Sequence, residues 1–142
     1  MKQDNKELLL QDLCARLPYG VMIHLDDFPD AILMGINNGV AMLDDATHDP
    51  IHDAPWNIEY IKPYLFPISS MTEEQREEFL NIQTEERQIL LNALIEYKSG
   101  KYDKIPIIAP YKQIEWLNKN HFDYRGLIEK GLAIDATNLN IY

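Results

Sequence analysis

The leucines near the start of the chain recur at spacings of three and four, the pattern of an amphipathic helix. A helix is predicted over residues 5–17, with a cap at Asp4 or Asn5 and a stop at Pro18. Its apolar stripe consists of Leu9, Leu10, Leu13 and Leu17.

After Pro18 the pattern changes to the alternation of apolar and polar residues that is typical of a strand. Residues 21–25 alternate in this way. Further on, Asn38 and Gly39 lie between two apolar runs, and both residue types tolerate the positive φ of a type I′ turn. The pattern therefore predicts a hairpin that turns at these two residues.

A two-residue loop also sets the register of the hairpin, and so the face on which each side chain lies. The predicted pairs are Ile36 with Ala41 and Met34 with Leu43, which share a face with Ile32. The opposite face is apolar too and carries Leu33, Gly35, Val40 and Met42. Both faces are therefore expected to be covered, either by a helix or by curling of the sheet into a small barrel.

The segment after residue 57 is a further extended piece, which Pro63 and Pro67 are expected to confine to a sheet edge or a bulge. Thr72 and Gln75 then form a capping-box pattern that begins a helix running to about Lys98. This helix is either continuous or divided at residues 83–88, with Thr84 as a second cap, and Gly100 ends it.

The remaining chain is predicted to contain a short extended piece at 101–110 and a helix at 111–122. One or two helical turns follow at 123–131, with Gly131 as the C-cap, and residues 132–135 add a final strand. The predicted fold class is a single α+β domain over residues 1–142. An N-terminal helix precedes a small curled antiparallel sheet of about four strands, barrel-like if it closes, and two or three helices follow.

Composition excludes several classes of protein. The chain has 142 residues and no run of about 18 apolar residues, and its first residues lack the apolar stretch of a signal peptide, so a cytoplasmic protein is expected. The single cysteine, Cys14, excludes an internal disulfide and a cysteine-based zinc site. Because Cys14 lies among leucines of the first helix, it is expected to be buried and inert.

Charge is the most unusual feature of the sequence. The net charge is −10, which disfavours direct binding to nucleic acid or to an anionic membrane. No Lys or Arg occurs between Arg16 and Lys62. Eight acids lie in that interval and form the candidate interaction site: Asp26, Asp27, Asp30, Asp44, Asp45, Asp49, Asp53 and Glu59. Such a one-signed segment predicts a negative surface for a basic protein partner.

The same interval also offers a metal-site hypothesis. Its nitrogen and oxygen donors would suit zinc or manganese, and the candidate ligands are His48, Asp49, His52 and Asp53. Pro50 lies between the two histidines and disfavours the helix that would put them on one face. A solvated acidic loop is therefore the favoured interpretation, and no cofactor is predicted.

A second cluster of reactive side chains lies near the end of the chain, where His121, Asp123, Tyr124 and Arg125 fall within five positions. Asp123 suits the N-cap of a following helix, and His121 continues the apolar side of the preceding one. The segment is therefore interpreted as a corner between two helices, with no catalytic residue assigned. A catalytic cluster would need a nucleophile or a base held within hydrogen-bond reach, together with a pocket, and the sequence shows neither.

Three stretches carry a resemblance to a known group of proteins: "LCARLPYG" at 13–20, "IKPYLFPISSMTEEQ" at 61–75 and "EWLNKNHFDYRGLIEKGLAIDATNLNIY" at 115–142. In these stretches the chain resembles a family of small uncharacterised proteins encoded by gut bacteria, their phages and other mobile elements. The resemblance implies a genomic setting and supplies no catalytic residue. The favoured function is a non-enzymatic interaction protein, and the alternative is a metal-binding domain or metal-dependent enzyme.

Overall fold

The computed structural model describes residues 1–44, 55–100 and 111–142. The chain divides into two compact units. The sheet unit comprises Met1–Ser70 and Asn118–Tyr142, and the helical unit comprises Met71–Leu117. Both helices and strands are present, so the predicted α+β class is confirmed. The predicted single domain over 1–142 stays a prediction.

The sheet unit begins with helix α1, Gln3–Arg16, which continues into a 3₁₀ turn at Leu17–Tyr19. The helix starts before the predicted cap, so Asp4 lies in its first turn. Its buried residues are Leu9, Asp12, Leu13 and Arg16. The prediction that Cys14 is buried is wrong, because Cys14 lies on the other side of the helix and is exposed.

Seven strands form the sheet within the described residues, against about four predicted. They are β1 (Met22–Leu25), β2 (Phe28–Asn37), β3 (Val40–Asp44), β4 (Trp56–Asn57), β5 (Ile61–Pro67), β6 (Phe122–Asp123) and β7 (Ile134–Asp135). The order is β4-β3-β2-β1-β5-β6, and β7 also pairs with β5. The described strands form an open sheet, so the barrel alternative is not observed among them.

The β2–β3 hairpin turns at Asn38 and Gly39, both with positive φ, as predicted. Ile36 pairs with Ala41 as predicted, but the predicted pair of Met34 with Leu43 is wrong. A β-bulge inserts one extra residue between Leu33 and Gly35, so Leu43 pairs with Leu33. Ala31, Leu33, Ala41 and Leu43 therefore form the buried face, and Ile32 and Met34 lie on the opposite one.

Strand β5 lies inside the sheet, which corrects the predicted edge position. It pairs antiparallel with β1 and parallel with β6 and β7. Pro63 is tolerated because it pairs only with Ile23 of β1, and the pairing with β6 and β7 begins after it. Pro67 is the last residue of the strand. The two parallel pairings also mean that the sheet is mixed, where a purely antiparallel one was predicted.

The core of the sheet unit joins α1 to the inner face of the sheet and to the last part of the chain. Leu9 and Leu13 of α1 are fully buried in the same cluster as Ile23, Leu65 and Leu127. Burial of a side chain of this size stabilises the fold by about 1.5–3 kcal/mol. The core of this unit is thus built from segments that are far apart in sequence.

The segment after β6 makes one helical turn with a cap at each end, and it contains no regular helix. Asp123 accepts hydrogen bonds from the amides of Leu127 and Ile128 at 3.0 and 2.9 Å. At the other end Gly131 has φ +70°, and the Leu132 amide bonds the Leu127 carbonyl at 2.9 Å, a Schellman closure. The predicted C-cap at Gly131 is therefore confirmed. The prediction that Asp123 caps a helix starting at Tyr124 is wrong, because Asp123 lies in β6 and Gly126, with φ +75°, interrupts the backbone before the turn.

The helical unit contains α2, Glu73–Lys98, and most of α3, Tyr111–Lys119. The capping box is present, because Thr72 and Gln75 exchange bonds of 3.0 and 3.2 Å. Helix α2 is continuous, and the Thr84 hydroxyl bonds the Leu80 carbonyl within the helix, so it is not a second cap. No described helix has the length and apolar character needed to cross a membrane.

Candidate functional site

Four of the five described acids of the candidate site lie at one end of the sheet. Asp26 and Asp27 form the turn between β1 and β2, where Leu25 pairs with both Phe28 and Ile61. Glu59 lies two residues before Ile61, so it is close to the same end. In β3, Asp44 pairs with Ile32, which lies midway along β2, so Asp44 is farther from this end of the sheet. We call the set Asp26, Asp27, Asp30 and Glu59 the acidic end.

A hydrogen-bonded network organises part of the acidic end. The Tyr64 hydroxyl donates to Asp30 at 3.0 Å and lies 3.0 Å from Nδ1 of His24. Because the single hydroxyl proton is used for Asp30, Nδ1 of His24 is the donor in the second bond. Nε2 of His24 lies 3.3 Å from Asp26, whose side chain is 93% exposed. The hydrogen bonds thus hold the side chains of this network in fixed positions, and its carboxylates face solvent.

Tyr64 serves this network as a neutral donor. Burial, followed by the hydrogen bond to Asp30 and the charge of Asp30, raises the pKa of Tyr64 to about 12. A phenol with this pKa stays protonated at neutral pH and has no tendency to act as a base. The arrangement of Tyr64, His24 and Asp30 is therefore suited to holding a charged surface in place.

Two lysines reduce the negative charge of the acidic end. Lys6 of α1 lies 3.5 Å from Glu59, and both side chains are one-third exposed. Lys62 pairs across strands with His24. The negative charge of the sequence interval that lacks Lys and Arg is therefore partly neutralised by lysines that the fold brings near it. Asp26, Asp27 and Asp30 at the β1–β2 turn form the more strongly negative part.

The rest of the predicted site lies outside the described residues. This applies to Asp45, His48, Asp49, His52 and Asp53, and so to every predicted metal ligand. Within residues 1–44, 55–100 and 111–142, no group of three or more His, Cys, Asp or Glu side chains has an arrangement that could hold a metal ion. The metal hypothesis therefore stays untested for its own ligands.

The cluster at residues 121–125 joins a second buried network, centred on Asp12 and Arg16 of α1. Both side chains are fully buried and form two bonds of 2.7 and 3.1 Å. Arg16 also donates to the Phe122 carbonyl at 2.6 Å, and Arg125 Nε lies 3.3 Å from Asp12. The Tyr124 ring lies 5.3 Å from the Arg16 guanidinium carbon and 5.1 Å from that of Arg125. This network ties the last segment to α1.

His121 belongs to the same structural joint. It has φ +62° and follows the end of α3, so the prediction that it continues the apolar side of that helix is wrong. Its ring stacks on Tyr142 at 3.6 Å between centroids. Burial, and then the positive charge of Arg16, lowers the pKa of His121 to about 4. His121 is therefore neutral near pH 7 and packs as an aromatic ring.

Sequence reasoning missed two features. One is the buried ion pair of Asp12 and Arg16. The sequence indicates such a pair, because an acidic and a basic residue lie four positions apart on the leucine side of a helix. The other is an exposed apolar face of the sheet, which the hairpin register had assigned as covered. Its members are Met22, Ile32, Met34 and Met42, and we call this set the outer apolar face.

Comparison with protein-family models, curated proteins and solved structures found no match.

Proposed function

We propose that this chain is a non-enzymatic interaction protein that binds a basic protein partner through its acidic end. The observation that supports the proposal is the convergence of Asp26, Asp27, Asp30 and Glu59, from three different segments, at one end of one sheet, with Asp44 across from the middle of β2. The resemblance described above suggests the setting, the cytoplasm of a bacterium that carries a phage or mobile element.

The charge distribution supports association with a basic surface over simple solubility. Asp26 is almost fully exposed, and the network of His24, Tyr64 and Asp30 holds the neighbouring carboxylate in place. Ordered charges lose less side-chain entropy on binding than freely moving ones. Complementary charges also accelerate encounter with an oppositely charged partner. A partner would therefore meet a preorganised negative surface.

The first test uses charge substitutions with a matched control. The acidic-end variant is Asp26→Lys with Asp27→Asn, because asparagine tolerates the φ of +64° at position 27. The control variant, Glu77→Lys with Glu85→Gln, changes the net charge equally at exposed positions of α2. Each protein is immobilised at equal density, and captured proteins from a bacterial lysate are identified by mass spectrometry.

We expect wild type and control to capture the same basic proteins, and the acidic-end variant to lose them. Capture should also fall when salt is raised from about 50 to about 300 mM, because the Debye length falls from roughly 14 to 6 Å. Capture that depends on neither salt nor the Asp26 and Asp27 substitutions would refute the proposal. Melting temperatures of all variants establish that each is folded.

A further inference from the structure

The outer apolar face is produced by the bulge in β2. Beyond Leu33, which points to the core, Met34 and Gly35 both lie opposite Met42. A Cβ on Gly35 would lie 3.8 Å from the Met42 side chain, which confirms that the two residues share a face. The bulge therefore places Met34 on the outside of the sheet, where 59% of its surface is exposed.

Neighbouring strands extend this face. Ile32 pairs with Met22 on one side and with Asp44 on the other. Ile32 is 39% exposed and Met42 is 38% exposed, so apolar side chains from two adjacent strands reach solvent together. Contiguous apolar surface of this kind on a protein is a marker of binding sites. Methionine side chains are flexible and polarisable, and adapt to partners of different shape.

The acidic end borders this apolar surface. His24 lies two residues from Met22 on the same face of β1, and its ring contacts Asp30 at 3.4 Å. Asp44 lies directly across from Ile32. A partner that covers Ile32, Met34 and Met42 must therefore also meet carboxylates along one border. Only a segment with an apolar side and a positively charged side satisfies both surfaces.

We propose that the outer apolar face and the acidic end together bind a basic amphipathic segment of a partner protein. This inference rests on the proposed function and specifies the chemistry of the partner. Apolar side chains of the segment pack on Ile32, Met34 and Met42, and its Lys or Arg side chains pair with Asp26 and Asp30. A second copy of this chain is the less complementary occupant, because it has the same net charge of −10.

The test measures binding of a synthetic probe. The probe is a fluorescent lysine–leucine peptide, roughly 18 residues long, with leucines at helical spacing, and the control peptide has the same composition in scrambled order. Fluorescence anisotropy gives the dissociation constant for the full chain. The apolar-face variant is Ile32→Thr with Met34→Gln and Met42→Gln. Met34→Gln alone, at the most exposed of the three positions, is the variant least able to disturb folding.

A matched apolar control removes exposed apolar groups elsewhere. It is Leu80→Gln with Ile95→Thr, at positions of α2 that are 57% and 65% exposed. We expect wild type and this control to prefer the amphipathic peptide by about tenfold or more over the scrambled one. The apolar-face variant should lose that preference, and Met34→Gln should lose part of it. The acidic-end variant should bind both peptides more weakly.

The outcomes separate this inference from the proposed function. If the apolar-face variant keeps the preference of wild type while the acidic-end variant loses binding, the acidic end still binds basic partners and the apolar contact is refuted. If wild type shows no preference between the two peptides, the inference also fails. Dimerisation of wild type in sedimentation experiments that Met34→Gln abolishes would assign the face to a second copy and refute a basic partner.

Discussion

Asp12 and Arg16 are an unusual pair at the scale of single residues, because both charges are fully buried in one helix. Taking two charges out of water costs several kcal/mol per ion, and only good geometry and further hydrogen bonds compensate for it. Here the carboxylate receives two bonds from Arg16, and Arg16 also bonds the Phe122 carbonyl. The pair thus depends on a segment more than 100 residues away.

We predict that Asp12→Asn lowers the free energy of unfolding by about 3–5 kcal/mol, because Arg16 keeps its charge and loses its counter-ion. The double variant Asp12→Leu with Arg16→Met should lose less than the two single variants combined, since neither member of the buried pair is left without the other; Arg125, which also contacts Asp12, has a side chain that is 26% exposed. Urea unfolding gives these values. Arg76→Met is the control, because Arg76 is over half exposed and its contact with Glu73 is 3.6 Å long, so a change below about 1 kcal/mol is expected. A similarly small change for Asp12→Asn would contradict the argument.

At the scale of elements, the β2–β3 hairpin combines a turn that is encoded locally with a bulge that is not. Gly39 has φ +76°, a conformation that costs other L-residues about 1–2 kcal/mol. Gly35 lies in the bulged part of β2 and has no positive φ. A methyl group there would meet only Met42, at an ordinary contact distance of 3.8 Å. Position 39 of this hairpin therefore requires the conformational freedom of glycine, whereas position 35 does not.

We predict that Gly39→Ala destabilises the protein by about 1–2 kcal/mol, whereas Gly35→Ala changes its stability by less than about 1 kcal/mol. Thermal unfolding of the two variants beside wild type tests this. The comparison controls for the chemical change, since both substitutions add one methyl group to the same hairpin. Equal losses for both would show that the left-handed turn is not the source of the effect.

At the scale of the whole molecule, the two units differ in how their cores are made. Every member of the main buried cluster belongs to the sheet unit, from Leu9 in α1 to Ala133 near β7. The sheet unit is discontinuous in sequence, and the helical unit is a single stretch between Ser70 and Asn118. The sheet unit therefore has a core of its own, the usual requirement for independent folding.

We predict that replacing residues 71–117 by a glycine–serine linker of about ten residues leaves the sheet unit folded. Trp116 is removed with the helical unit, so Trp56, which packs against the sheet core, becomes the single tryptophan. Its fluorescence during urea unfolding should show one cooperative transition. A gradual change without a transition would mean that the sheet unit needs the helical unit to fold.

Sequence alone determined the features that depend on neighbouring residues. The N-terminal helix, the Thr72–Gln75 capping box, the Asn38-Gly39 turn and the C-cap at Gly131 were all predicted, because each is stabilised within a few residues of itself. The concentration of acids in residues 26–59 was also evident from the sequence. The basic-partner hypothesis drew on that concentration, and the sequence contained no metal or catalytic motif of known spacing.

Only the tertiary structure decided which distant segments meet. The bulge at Met34 reversed the expected face of Ile32, because one inserted residue shifts every side chain beyond it to the other side of a strand. The parallel pairing of β5 with β6 and β7, and the bond from Arg16 to Phe122, join residues separated by up to 106 positions. Sequence periodicity reports which side of an element is apolar, but long-range pairing depends on packing that no local pattern encodes.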